Sequence, residues 1–226
     1  MTARDPSEWA PSGWQAEPLS PALMFGLALI AGVLGGLGAI VFRSAIAAFQ
    51  ELLFYGGLGL HFQPDVHLTP SPWGWAVIFV PVVGALIVTE ITDRLGSEHR
   101  GHGVPEVMEA IYYRRGYMRP RVVVAKALAA AVSIGSGGSV GREGPIIQIG
   151  AALGSVLGQL WHMPARQRIV LVGSGAAAGI AGTFNAPLAG VAFAMELLLV
   201  SVSAQNVALV AAAVVPGTYL GRLYAG

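Results

Sequence analysis

The sequence has no cysteine and few charged residues, and both absences exclude classes of protein. Without cysteine there is no disulfide scaffold. Charged residues are 11% of the 226 residues, against about 25% in an ordinary soluble domain. A net charge of +1 gives no basis for nucleic-acid binding. The chain also lacks metal-spaced histidines and a Gly-rich phosphate loop of Walker spacing, so an enzyme, a metal site and a cofactor are not expected.

Apolar residues and glycine take the place of the missing charge. Apolar residues make up 54% of the chain, mean hydropathy is +0.65, and there are 31 glycines. A soluble domain of this size needs more polar surface than the sequence supplies, so we predict a multi-pass membrane protein. Residues 1–17 are polar and are predicted to form an N-terminal segment, whereas residues 18–226 form the membrane domain.

The first two apolar runs predict spans and an orientation. Pro21 to Phe42 has no charge and is long enough to cross a hydrocarbon core of about 30 Å, and Trp73 to Thr89 is a second, shorter run. Ser44 to Gly74 contains no Lys or Arg, whereas the segment Asp93 to Arg121 contains six arginines. The positive-inside rule therefore predicts a cytoplasmic N-terminus, and we expect the cell (inner) membrane.

After Arg121 the apolar runs become short and are separated by glycine and proline. These runs are Val122 to Ile134, Ile146 to Trp161, Ile169 to Gly182, Pro187 to Val202 and Val207 to Tyr219. Backbone freed by a break at membrane depth must be buried in protein or line a water-filled cavity, as in transporters and channels. We predict an all-α membrane protein of about eight tilted, partly broken transmembrane helices. A compact helical scaffold without transport is the alternative reading of the Gly and Ala density.

One break carries a charged residue at the start of a helix. In Gly141-Arg142-Glu143-Gly144-Pro145, the proline suits a first helical turn, and we predict a helix from Pro145 to Trp161. Its free amides and positive dipole end make an anion site. Glu143 can occupy that site as a tethered anion, and protonation or a competing anion would clear it. Alternatively, Glu143 only caps the helix.

Two further segments have the same character. Gly101-His102-Gly103-Val104-Pro105-Glu106 again combines glycines with a first-turn proline, and Glu106 is interpreted there as a simple first-turn acid. In Phe184-Asn185-Ala186-Pro187, Asn185 is predicted to cap the helix that begins near Pro187. Three such starts in one membrane chain predict that helix ends converge.

These three segments, in this order and spacing, resemble the successive signatures of the CLC chloride channels and proton/chloride antiporters. The resemblance runs from about Pro18 to Gly226 and includes Gln148-Ile149-Gly150 after the central motif. It implies the first inverted repeat of the CLC fold, with helix N-termini converging on dehydrated anions and Glu143 as the gate. The resemblance implies anion-binding residues in two of the segments. These are His102 and Gly103 in the first, and Arg142, Glu143 and Gly144 in the central one.

Two positions depart from the family pattern. His102 stands where the family usually has serine, and either its imidazole or a backbone amide would contact the anion. Leu197 stands at the position that matches the internal proton-accepting glutamate of coupled members, with Glu196 just before it. Either Glu196 substitutes, protons enter another way, or anion flow is uncoupled. Lys126 either shapes the field near the pathway or extends to an interface.

The sequence thus predicts transport of chloride or a similar small anion, as a channel or a proton-coupled antiporter. We expect chloride to be the transported ligand and the protein to lie in the lipid bilayer. Only the first of the family's two inverted halves is visible, since the later signatures have no counterpart in the chain. The alternative is a half-transporter that needs a second-half polypeptide. The resemblance implies a homodimer of complete subunits.

Overall fold

The fold is built from helices. The computed structural model describes residues 18–57, 71–95, 103–199, 201 and 203–225, and within these ranges there are eight α-helices and no β-strand. The helices are α1 (Pro21–Gln50), α2 (Val80–Leu95), α3 (Val104–Tyr113), α4 (Pro120–Gly135), α5 (Glu143–Leu160), α6 (Ala165–Phe184), α7 (Pro187–Phe193) and α8 (Ala204–Ala225). The predicted all-α class and number of helices are confirmed.

The first helix is longer than the apolar run that predicted it, and the second helix ends beyond its run. α1 begins at Pro21, where the Ser20 hydroxyl accepts from the Leu23 amide at 3.4 Å. It continues past Phe42 and through a π-helical turn, Glu51–Tyr55, that ends at Gly56 with φ +70°. A 3₁₀ turn, Gly74–Phe79, leads into α2. The charged residues Arg43 and Glu51 therefore do not end α1. A helix can extend beyond the hydrocarbon core, where charged side chains reach water.

Two of the later helices are short, as the glycine and proline pattern predicts, whereas α6 has 20 residues and α8 has 22 and continues through Pro216. α3 has 10 residues, and α7 has seven before a π-helical turn, Ala194–Leu198. By length and apolar composition, three segments are able to cross a membrane: Pro21–Tyr55, Gly74–Arg94 and Ala204–Tyr224. α5 begins two residues before the predicted Pro145, because a proline without an amide proton is tolerated anywhere in the first turn.

α6 is the central helix, and glycines let its neighbours come close. It packs against α1, α5, α7 and α8, and an unbroken stretch from Val170 to Thr183 is buried. A Cβ on Gly150 of α5 would overlap the Gly175 carbonyl oxygen, and one on Gly175 would overlap that of Gly150. Such small residues give membrane helices the van der Waals contact that holds them together.

α2 lies at the periphery and exposes most of its apolar side chains. Val82, Val83, Leu86 and Ile87 are all exposed on it, and Trp75 before it is 90% exposed. Its principal neighbour is α4. A surface of this kind is stable in contact with lipid.

Alanine at Gly150 tests the central crossing. We expect Gly150→Ala to lower stability by about 1–3 kcal/mol, because the added methyl group must push α5 away from α6. The measurement is thermal unfolding of the purified protein in detergent. Gly26→Ala is the matched control in α1, where a Cβ meets nothing within 4 Å, and its Tm should be unchanged or slightly raised. Equal Tm values for both variants would contradict the tight crossing.

Candidate anion site

The first turns of α3 and α5 meet at two glycines. An ideal Cβ on Gly103 would lie 3.1 Å from the Gly144 Cα, and one on Gly144 would lie 3.2 Å from the Gly103 Cα. Gly103 has φ +69°, a conformation that side chains disfavour, and it stands immediately before α3. Thus two backbones are in contact where both helices begin.

Both helices leave backbone amides unused at this point. In α5 the first helical bond is donated by the Ile146 amide to the Arg142 carbonyl at 3.3 Å, and in α3 by the Val107 amide to the Gly103 carbonyl at 3.4 Å. The amides of Glu143 and Gly144 therefore have no acceptor within α5, nor does that of Val104 within α3. Two positive helix ends adjoin one another, which is an arrangement suited to an anion.

The Glu143 side chain folds back toward the residue two before it. The Glu143 Oε2 occupies the space that a Cβ on Gly141 would need, and Glu143 is exposed. Neither helix start has a side-chain cap. Within the described residues the Glu143 carboxylate has no hydrogen bond or ion pair, so little holds it in this position.

The third predicted helix start lies beside the second. The Arg142 Cζ lies 5.4 Å from the centroid of the Phe184 ring, at the end of α6. Asn185 does not cap α7, contrary to the sequence prediction. It has left-handed φ and ψ of 53° and 35° and ends α6, whereas Ala186 precedes α7. Asparagine adopts this conformation more readily than most residues.

Three arginines lie around this end of the helices. Arg43 stacks over the Tyr224 ring at 5.4 Å, and Arg222 Nε donates to the Asn185 Oδ1 at 2.6 Å, next to the Phe184 ring that Arg142 covers. None of the three pairs with a carboxylate in the described part of the chain. Their contacts are to aromatic rings and an amide, which leave their positive charge uncompensated.

Lys126 is buried and paired. It lies 8% exposed in α4, and its Nζ contacts Oε2 of Glu106, whose side chain is 13% exposed in the first turn of α3. The same oxygen accepts from the Gln148 Nε2 in α5 at 2.6 Å. Lys126 therefore does not extend to an interface. Sequence reasoning missed Glu106 and Gln148 as partners, although a buried lysine in an apolar helix signals that a carboxylate must be near.

The remaining predicted residues are His102, Glu196 and Leu197. His102 lies outside the described residues. Glu196 is exposed in the π-helical turn after α7, which packs against α3 and α6, and it has no hydrogen bond or ion pair in the described ranges. Leu197 beside it is 40% exposed. Across the described ranges, no group of three or more His, Cys, Asp or Glu side chains could hold a metal.

Comparison with a family model gives the relationship. Residues 83–226 match the model described as voltage gated chloride channel. The chain belongs to the voltage-gated chloride channel family. Similar curated proteins include the H(+)/Cl(-) exchange transporter ClcA of Cronobacter sakazakii, 33% identical over 178 residues. The ClcA of Salmonella schwarzengrund is 32% identical over 178 residues.

The match covers most of this chain but well under half of those relatives. It takes in 78% of the chain, 37% of the Cronobacter protein and 36% of the Salmonella protein. Among solved structures, a slow cyanobacterial Cl⁻/H⁺ antiporter is similar, with a TM-score of 0.70 and 23% identity. That likeness covers 93% of this chain and 48% of the antiporter chain, and it supports the predicted fold.

Alanine at Gly103 tests the contact of the two helix starts in this chloride channel relative. We expect Gly103→Ala to destabilise the protein by about 1–3 kcal/mol and to speed hydrogen exchange in residues 143–150, since the methyl group would separate α3 from α5. Gly74→Ala is the control, because Gly74 also has positive φ, +53°, but open space around it. If both variants show the same exchange in α5, backbone strain alone explains the effect and the contact has no role.

Proposed function

We propose that this chain moves chloride or a similar small anion across the membrane, through a glutamate-gated path that helix N-termini form. The observation that carries the proposal is the contact of the α3 and α5 first turns at Gly103 and Gly144. Amides of Gly103, Arg142, Glu143 and Gly144, with the His102 segment, are the proposed anion ligands. No bond is made or broken, so the protein is proposed to be no enzyme and to need no cofactor.

The charge around this point supports binding that is reversible. Amides and helix dipoles can attract an anion without a fixed cation, and the buried Lys126 is neutralised by Glu106 in the first turn of α3. A fully charged lysine facing the anion would hold it too firmly for release, since conduction requires weak binding. Partial charges from backbone amides can replace water around a halide and still let it leave.

The three uncompensated arginines support recruitment of the anion to the site. Arg43, Arg142 and Arg222 would raise the local anion concentration near the start of α5, since clustered charge of one sign attracts its counterion. In the orientation predicted from loop charges, with a cytoplasmic N-terminus in the inner membrane, α1 crosses outward. Arg43 and the start of α5 would then lie at the outer side.

Glu143 is the proposed gate. Its carboxylate is exposed and unpaired among the described residues, and it is tethered to the helix end that would hold the anion. An arriving anion or a proton can therefore displace it without breaking an ion pair. Because a carboxylate and chloride would compete for the same amides, occupation by one excludes the other.

Proton coupling depends on residues at α7. The relatives are named as H(+)/Cl(-) exchange transporters, whereas Leu197 cannot carry a proton. Glu196 is an exposed acid beside it and is the proposed substitute if this chain exchanges protons. An uncoupled channel is the other form of the proposal.

A second candidate function is that of a half-transporter. The chain spans about two fifths of the curated relatives and half of the structural neighbour that it matches. The alternative is therefore that the anion path is complete only when a second-half polypeptide binds this chain. A homodimer would then form from two such complete subunits. In inverted-repeat transporters, the binding site lies between two such halves.

Replacing Glu143 tests the gate. In liposomes that contain the transport-competent form, we expect Glu143→Ala to abolish the pH dependence of chloride flux, because the residue that competes with the anion and binds the proton is gone. Flux and proton movement are recorded together. Glu90→Ala is the matched control, an exposed carboxylate whose only described partner is Arg94 on α2. Unchanged pH dependence in Glu143→Ala would contradict the gating role.

Proton movement in the same liposomes separates channel from antiporter. Protons that move in fixed ratio to chloride indicate coupling, and in that case we expect Glu196→Gln to stop proton movement while chloride flux continues. Chloride flux with no proton movement indicates an uncoupled channel. Proton coupling that survives Glu196→Gln would exclude Glu196 as the substitute for the missing glutamate.

Reconstitution of the 226-residue chain separates the two candidate functions. If the chain transports alone, purified protein in liposomes gives chloride flux. If it is a half-transporter, flux is absent until the polypeptide encoded downstream, carrying the second half, is added. Flux that is the same with and without that polypeptide would contradict the half-transporter.

A further inference from the structure

We infer that Glu106 is a positioning residue, which fixes the first turn of α3 against the first turn of α5 through Lys126 and Gln148. The inference rests on the proposed function, since it concerns the spacing of the amides proposed to bind the anion. It assigns to Glu106 a role different from that of a first-turn acid interacting with the helix dipole.

Burial and partners separate the two roles. An acid that acts only through the helix dipole stays in water. Glu109, one turn later, is an exposed acid of the same helix, with its side chain 48% exposed. The Glu106 side chain is 13% exposed, and a single oxygen, Oε2, accepts from both Lys126 and Gln148. Because the two donors belong to α4 and α5, the carboxylate joins three helices.

The Glu106 carboxylate with its two donors, Lys126 and Gln148, is called the tie. It lies close to the glycine contact along both helices. Glu106 follows Gly103 by three residues and Gln148 follows Gly144 by four, so each lies about one helical turn beyond its glycine. The first turns of α3 and α5 are therefore held at two successive levels, by backbone contact and by a hydrogen bond. Two levels of contact restrict rotation as well as separation of the helix ends.

Lys126 supplies charge balance for the tie. A carboxylate buried among apolar helices is stable only when it is paired, and Lys126 is 8% exposed beside it. The ion pair thus allows Glu106 to remain an acceptor for Gln148. Because the pair is neutral, Lys126 adds no full positive charge to that of the three arginines near the proposed anion site.

Three variants separate positioning from simple stability. Glu106→Ala combined with Lys126→Met removes the tie without leaving a buried charge. Glu106→Gln combined with Lys126→Met removes the charges but keeps an oxygen that can accept from Gln148. Glu109→Gln is the matched control on the same helix, since that carboxylate is half exposed and bonds only the partly buried Arg114 among described residues. All are made in the 226-residue chain.

The first readout is the distance between the helices. Since the chain has no cysteine, spin labels at Tyr113→Cys and Leu160→Cys, both exposed, report α3 against α5. We expect the alanine–methionine variant to shift or broaden the distance distribution. The glutamine–methionine variant and Glu109→Gln should keep that of the unsubstituted protein. Superimposable distributions in all variants would overturn the inference.

The second readout is chloride affinity, measured as the dependence of Tm on chloride concentration. We expect the alanine–methionine variant to bind chloride about tenfold more weakly, and the glutamine–methionine variant to recover most of that loss. A changed distance with unchanged affinity supports the positioning role and counts against the proposed anion site. Weaker binding with an unchanged distance overturns the positioning role.

Discussion

Close contact between backbones determines most of this structure. Where α5 crosses α6, each of Gly150 and Gly175 occupies space that a side chain on the other would need. The same kind of contact, at Gly103 and Gly144, brings two helix starts together. Van der Waals packing of small residues is the principal attraction available to helices in lipid, so these glycines set the spacing on which the proposed site depends.

The candidate site combines that geometry with a particular distribution of charge. Backbone amides at two helix ends provide partial positive charge, whereas the buried Lys126 and Glu106 cancel one another. Full positive charge is confined to arginines on aromatic and amide partners. If the proposed function is correct, the arginines attract the anion and the amides bind it weakly enough for release.

The sequence predicted the class, the number of helices and the breaks, because glycine and proline act locally. It did not predict the Glu106–Lys126 pair, whose members lie 20 residues apart on two different helices and meet only in the folded chain. The predicted start of α5, Pro145, lies two residues after the observed start, Glu143, since a proline is compatible with several first-turn positions. The predicted cap at Asn185 is wrong because the residue adopts a left-handed conformation, which ends α6 rather than beginning α7.

The buried ion pair also has a consequence for assembly in the membrane. α4 carries Lys126 in its apolar interior, and α3, which carries Glu106, is a 10-residue helix too short to span a bilayer. Neither helix can enter lipid alone without a charged side chain lacking its counterion. Together, α3 and α4 place a neutral pair in the membrane, where each helix alone would place a full charge.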